Sequence, residues 1–488
     1  MNRWRIFIST LSTQKMASSF AWSSLENGGA QLAQVAVFFV AARILQPEDV
    51  GHASLALILN QAFQSIISTS INGYIVSLSD KSSKDAETCA FWLSVAFGIL
   101  QLLVTAAVSA VYWRLTGKIH LPLLYLVAAT TNLVVSLGIV QQAWMTRALA
   151  MRSLAIRTLS SVAIAGCCGI GMAVAGFGAY AIVLQTLLQA MIGTTLLWIF
   201  SNWRPGLAVS ASGVRDVYRF TRHMVATGIL NFSVSNADMA IVGTILGAHS
   251  AGVYAVARRA LFAFNGIIST ALSQVSLSVF ARMRDGNSED FESRFLKVIS
   301  LTSIVTVPLF FALSGLSKAF ILILFGPKWL EAATIMAVLM PFGALQSLGV
   351  YNQSFVIVSG RPDLQTKLAA IYAAVTIPLL ALTAQFGLLA LALSYTLRAY
   401  AMFPMSMALV TRRSGISHRQ YFRAMSPAFL CGMLVGCTVW VAQIWASPSP
   451  FLQILAAVSA GTCIYFLFLM LFMRKTLAGL QRLVVKRM

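Results

Sequence analysis

The sequence predicts an all-α polytopic membrane protein of about fourteen spanning helices, built as two six-helix halves and two further C-terminal helices. Three observations predict it: an apolar excess, the placement of Lys and Arg, and an internal repeat. Of 488 residues, 58% are hydrophobic and only 10% charged. Soluble domains carry roughly 25% charged residues, so this chain could not cover a core of its own size. Lipid must be the solvent for most of it.

A helix crosses the ~30 Å hydrocarbon layer with about 20 residues at 1.5 Å each. Apolar runs of suitable length occur at 17–43, 51–76, 88–113, 123–146, 158–176, 177–200, 222–246, 251–280, 295–314, 332–358, 364–384, 387–411, 426–446 and 450–473. Helix-stop chemistry separates them at Gln46-Pro47-Glu48-Asp49, Gly360-Arg361-Pro362-Asp363 and Pro448-Ser449-Pro450. The organisation that follows is a cytoplasmic N-terminus at 1–16, an N-lobe at 17–200, a cytoplasmic linker at 201–221 and a C-lobe at 222–411. The last two spans with their preceding loop occupy 412–473, and a basic cytoplasmic tail occupies 474–488.

The net charge of +21 would suit a nucleic-acid binder, but its distribution excludes one. The basic residues sit in short loops, with no interleaved aromatic module for bases. With the N-terminus inside, 27 Lys and Arg fall in cytoplasmic segments and 4 in outer loops. That is the positive-inside pattern, and both termini are expected in the cytoplasm. The opening stretch is too long and too studded with polar groups for a cleaved signal. In the longest outer loop, about 315–331, Lys328 and Trp329 read as interfacial anchors, and Arg43 at the end of span 1 reads as a snorkelling residue.

Two passages recur. Ile44-Leu45 with Gly51 returns as Ile245-Leu246 with Gly252, and Phe177-Gly178 with Ala181 and Leu184 returns as Phe386-Gly387 with Ala390 and Leu393. Each copy lies six spans from the other, so both halves enter the membrane from the same side. The repeat is parallel, with its axis along the membrane normal.

Ionisable groups at membrane depth cost roughly 2.5–3.5 kcal/mol each on insertion scales, so they mark polar cavities or one another. Glu26 lies in span 1, Asp238 in span 7, Arg258 and Arg259 in span 8, and Arg398 near the middle of span 12. Asp238 and the arginine pair stand at matched distances from one outer turn. Their meeting reads either as a salt bridge locking span 7 to span 8 or as part of a site. Arg258 and Arg398 have no acidic partner in view and point to a wet, positively charged cavity. Glu26 fits a counter-ion, a proton or sodium site, or an interfacial residue. Amides in spans 2, 7 and 10 (Asn60, Gln61, Gln64, Asn72, Asn231, Asn236, Gln346, Asn352, Gln353) serve helix–helix hydrogen bonds or line a cavity for hydroxyl-rich cargo.

Catalysis and cofactors are not expected. No phosphate-binding G-x-x-x-x-G-K motif, H-E-x-x-H motif or Cys/His cluster is present, so neither nucleotide nor metal is implied. The six cysteines lie mostly in apolar runs and read as buried small hydrophobes.

Several motifs carry a resemblance. W-S-x-L-E at Trp22 to Glu26 precedes A-R-x-L-x-P-E-D-x-G at Ala42 to Gly51. N-x-D-x-x-I-V-G-x-x-L-G-x-x-x-x-G-x-Y runs from Asn236 to Tyr254, with Arg259 following; F-G-x-K-W-L at Phe325 to Leu330 and G-R-P-D at Gly360 to Asp363 complete the set. Over about residues 15–425 the chain resembles the polysaccharide transporter family, the Wzx-type lipid-linked oligosaccharide flippases of the multidrug/oligosaccharidyl-lipid/polysaccharide exporter superfamily. The resemblance implies two six-helix lobes around a central cavity. It implies a cargo of undecaprenyl-diphosphate-linked sugar repeat units, moved across a bacterial inner membrane for exopolysaccharide, capsule or O-antigen synthesis. It carries over to Glu26, Arg43, Asp238 and Arg259 at motif positions, whereas Arg258 and Arg398 rest on their membrane depth. An H+ or Na+ gradient would supply the drive, and a polysaccharide polymerase or export complex would be a partner. The competing reading is a cation-coupled multidrug exporter of the same superfamily; the excess of arginine over acid among the buried charges favours an anionic cargo.

Overall fold

A computed structural model describes residues 13–78, 84–117, 119–283, 288–358, 362–445 and 450–472. The expected tail at 474–488, most of the N-terminal segment, and parts of the turns at 360–363 and 448–450 lie outside them.

The chain packs as two compact units, Met1–Gly252 and Val253–Met488. In the first, α1 (Thr13–Ser24) runs through a π turn (Leu25–Gly29) into α2 (Ala30–Ile44). Next come α3 (Pro47–Phe63), a second π turn (Gln64–Ser68) and α4 (Thr69–Ser77), then α5 (Lys84–Thr116), α6 (His120–Ser136), α7 (Ile139–Arg147), α8 (Met151–Val174) and α9 (Ala179–Phe200). α10 (Ala211–Ile241) ends in a third π turn, Val242–Leu246. The second unit takes most of α11 (Gly247–Met283), then α12 (Ser288–Gly315), α13 (Ser317–Leu324), a 3-10 turn at Pro327–Trp329, α14 (Leu330–Val358), α15 (Pro362–Ala384), α16 (Leu388–Ser414), α17 (His418–Trp445) and α18 (Pro450–Phe472).

Eleven helices among the described residues are long and apolar enough to cross a membrane, or twelve if bent α6–α7 is one crossing. The expected count of fourteen is not confirmed, and two physical features account for the difference. Glu26, Asn27, Gln31 and Gln34 dilute the apolar character of the first expected span. The seventh and eighth expected spans form one apolar stretch of 43 residues, Met224–Gly266. At 1.5 Å per residue that is about 65 Å of helix, twice the bilayer's hydrocarbon. Gly247, at φ +84°, breaks it in the expected outer turn.

Packing divides the chain at Gly252, so α10 groups with the helices before it. Its start is capped by Ser210, whose hydroxyl accepts from the Gly213 amide at 3.1 Å. Much of the expected linker 201–221 is thus already helix. α10 then joins a core of Phe63, Ile75, Cys89, Phe91, Val140 and Val217. In the second unit the core gathers Phe295, Leu348, Tyr351, Met407 and Tyr421. Lipid is as apolar as these side chains, so close packing and interhelical hydrogen bonds hold the helices together.

The two recurring passages have structural counterparts. Gly178 (φ +54°) precedes α9, and Gly387 (φ +101°) precedes α16. In the other passage, Gly51 and Gly252 meet backbone to backbone. A Cβ on Gly51 would lie 1.8 Å from the Ala248 carbonyl oxygen, and one on Gly252 would lie 1.8 Å from that of Pro47. Pro47 and Ala248 are themselves equivalent positions, so the contact is reciprocal, as about a two-fold axis. Glu48 and His249, 201 residues apart like the glycines, meet at the same place with Oε1 and Nδ1 2.7 Å apart.

Among the described residues no cluster of potential metal ligands occurs. Cys89 and Cys431 are buried, but Cys167, Cys168, Cys437 and Cys463 are exposed. The expectation of burial is corrected for these four: apolar sequence context in this chain includes the face turned to lipid.

Candidate functional site

Glu26 stands in the first π turn, where one extra residue in the helical ladder re-aims the side chains; such turns recur at functional sites. Its Oε1 accepts a hydrogen bond from the Thr158 hydroxyl on α8 at 3.0 Å. Arg157, the residue before, lies within electrostatic reach of the carboxylate and donates through Nε to the Gly193 carbonyl on α9 at 3.3 Å. A Cβ at Gly193 would sit 3.2 Å from that guanidinium, so the glycine makes its room. The span expected at 158–176 puts Arg157 in the preceding cytoplasmic loop. Its signal was the missing breaker between Met151 and the apolar run, since α8 begins at Met151 rather than 158.

Asp238 is 2% exposed on α10. In the second unit, Arg258 lays its guanidinium 5.1 Å from the Phe262 ring centre, and Arg259, the adjacent residue about 100° around the helix, is exposed. Arg398 donates from Nη1 to the Thr376 hydroxyl on α15 and lies 5.1 Å from the Tyr395 ring centre. Tyr372 is within its electrostatic reach. Its Nε is buried without a hydrogen-bond partner among the described residues. Hydroxyls and rings thus surround this guanidinium, and no described carboxylate pairs with it. Neutral partners stabilise the cation without spending its charge, which leaves it able to bind an anion.

The expected two roles for the membrane amides divide by residue. Asn132 Nδ2 donates to Asn60 Oδ1 at 3.0 Å and to Gln101 Oε1 at 2.9 Å, tying three helices. Asn265 donates to Gln346. Tyr421 donates to Asn352 Oδ1 at 2.9 Å, and Asn352 Nδ2 donates to Ser406 Oγ at 3.1 Å. By contrast Gln61, Gln64, Asn231 and Gln353 are exposed.

Of the expected interface residues, Arg43 and Lys328 are exposed. Trp329 is corrected: it is 0% exposed, its ring 6.3 Å from that of Phe325. Gly326 (φ +91°) and the 3-10 turn fold the indole into the second unit instead of toward headgroups.

Residues 40–334 match the family described as polysaccharide biosynthesis protein. The chain is similar to the teichuronic acid biosynthesis protein TuaB of Bacillus subtilis, at 23% identity over 72% of this chain and 73% of that one. It is similar to the lipopolysaccharide biosynthesis protein WzxC of Escherichia coli, at 23% identity over 84% of each chain. Among solved structures, the lipid II flippase MurJ in an inward closed conformation superposes with a TM-score of 0.76 at 12% identity, covering 93% of this chain and 99% of that one. An inward-facing multidrug resistance MATE family transporter reaches 0.50 at 16% identity, over 81% and 96%.

Proposed function

From the premise that this chain belongs to the polysaccharide biosynthesis protein family, we propose that it is a flippase, and not an enzyme, for polyprenyl-diphosphate-linked oligosaccharide repeat units. It carries them from the cytoplasmic to the outer leaflet of a bacterial inner membrane by alternating access. The observation that carries the reading is Arg398: a guanidinium deep in a spanning helix, held by a hydroxyl and a ring with no described carboxylate to neutralise it. Guanidinium offers a planar fork of donors matched to phosphate oxygens. A cationic lining lowers the cost of moving a diphosphate through lipid, while the polyprenyl tail stays in the bilayer. Arg258 and Arg259 are assigned to the same anion-binding role, and Glu26 and Asp238 are candidates for counter-ion or coupling-ion sites. The reading keeps an N-lobe at 17–200, a C-lobe at 222–411 and both termini in the cytoplasm. It uses an H+ or Na+ gradient for drive and a polysaccharide polymerase or export complex as partner.

The test is complementation. A deletion strain should accumulate lipid-linked repeat units, and the wild-type gene should clear them. Arg398→Ala should insert normally yet leave the accumulation in place, while Arg398→Lys restores part of the clearance. Full clearance by Arg398→Ala sinks the site assignment. A deletion strain that accumulates no lipid-linked glycan but loses efflux of cationic drugs returns the protein to the multidrug class.

A further inference from the structure

Within the first unit, a cavity of about 510 Å3 opens between the second π turn and α10. Ser65, Thr69, Asn231, Phe232, Ser235 and Asn236 line it. At its edge Gly228 brings the two helices together: a Cβ there would lie 3.2 Å from Ile66 Cα and from the Ser65 carbonyl oxygen. Backbone contact at one level and a bulged turn beside it leave space at the next. Thr69 donates its hydroxyl to the Gln64 carbonyl across that turn at 3.3 Å, so the bulge itself is satisfied.

The depth of this cavity is what makes its lining informative. Asn231 lies seven residues into the apolar stretch that starts at Met224, about 10 Å along the helix. Thr69 lies eight residues before the end of the span Pro47–Ser77, at a similar distance. Yet Ser65, Thr69, Asn231 and Ser235 are all exposed. Turning the Asn231 amide toward hydrocarbon would be costly, so the cleft it lines is wet. None of the described lining residues carries a charge. An ion or a phosphate would find no counter-charge among them. An amide offers two donors and two acceptor lone pairs, and a serine hydroxyl one donor and two acceptors, which suits a ligand whose own groups both donate and accept. Phe232 adds an apolar ring to the wall, the usual combination in small-molecule sites of apolar surface with a few fixed polar groups.

We propose that this cleft is a glycan subsite: Ser65 and Asn231, with Ser235, hydrogen-bond hydroxyls of a neutral sugar of the cargo while Phe232 faces its carbon skeleton. The inference rests on the flippase reading and adds to it a division of labour. Arginines hold the diphosphate, and an uncharged cleft on another part of the chain reads the sugar. Cargo selectivity is then set at Ser65 and Asn231 rather than at the guanidinium groups.

The experiment uses the purified full-length protein in lipid nanodiscs and two probes: undecaprenyl diphosphate without sugar, and the lipid-linked repeat unit extracted from the deletion strain. Binding of each is measured for wild type, Ser65→Ala, Asn231→Leu and the double variant. The double variant should lose affinity for the glycosylated lipid by about ten-fold or more, a hydrogen-bonding loss of ordinary size, and bind the sugar-free lipid as wild type does. Asn231→Gln should recover part of the loss. If the wild type binds neither lipid, the flippase reading itself fails. If it binds both and the double variant binds the glycosylated lipid equally well, only the subsite is overturned. Equal losses for both lipids also overturn it, because a sugar-reading site cannot weaken the sugar-free ligand. Should Asn231→Leu fail to insert, Ser65→Ala and Asn231→Ser carry the same expectation and the same refutation.

Discussion

Replacing Gly252 by alanine tests the reciprocal backbone crossing at the Gly51–Gly252 turn. The new Cβ would start 1.8 Å from the Pro47 carbonyl oxygen. Carbon and carbonyl oxygen ordinarily approach to about 3.3 Å, so the crossing must open by roughly 1.5 Å. The clashing atom is backbone, with no rotamer to absorb the shift. Overpacking of this kind costs typically 1–3 kcal/mol, and rigid backbone on both sides places it at the upper end, about 3 kcal/mol. Gly51→Ala meets the Ala248 carbonyl at the same 1.8 Å and should cost as much. One opening relieves both clashes, so the double variant should cost clearly less than the two singles together, the non-additivity of residues in contact. Gly171→Ala is the control. Nothing lies within 4 Å of its added Cβ, and alanine there should be neutral or stabilise by up to about 1 kcal/mol. Thermal unfolding of the solubilised full-length protein reads all four variants. A Gly252→Ala protein as stable as wild type, or strictly additive singles, refutes the crossing.

Two further outcomes follow from packing. Trp329→Ala removes a wholly buried indole and should cost about 3–5 kcal/mol in the same unfolding assay; a loss under about 1 kcal/mol would return Trp329 to a headgroup anchor. Asn132→Leu leaves Asn60 and Gln101 without the amide that joins them. Its cost should be about 1–2 kcal/mol, near the upper range for interhelical hydrogen bonds in membranes, and the added change from Asn60→Leu on that background should be smaller than from Asn60→Leu alone.

The membrane class, the order of the spans and the existence of a repeat were legible because each depends on local quantities. Hydropathy sums over about 20 residues, loop charge acts during insertion, and a recurring Ile-Leu-to-Gly spacing can be found without knowing what it touches. The same locality leaves the count of fourteen spans unconfirmed. A window of apolar residues does not say where a helix breaks or how far polar groups such as Glu26 and Asn27 dilute it.

Residue chemistry alone also drew attention to Glu26, Asp238, Arg258, Arg259 and Arg398, since a charge in a spanning segment is costly wherever its partner lies. The partners themselves were not readable. Thr158 lies 132 residues from Glu26, and the threonine and ring that hold Arg398 could not be named from a sequence that showed only the lack of an acidic partner. Trp329 beside Lys328 has the composition of a bilayer anchor, and only the turn at Gly326 sends it inward. The amides of spans 2 and 7 read either as helix glue or as cavity lining, and only the fold shows that Asn231 and Asn236 stand with Ser65, Thr69 and Ser235 around a cleft beside one bulged turn. What this chain is, and which groups it had to shelter from lipid, was determined by its sequence. Which group shelters which was decided only on folding, because hydrogen bonds and ring contacts act over a few ångströms between residues that sequence separates by tens to hundreds of positions.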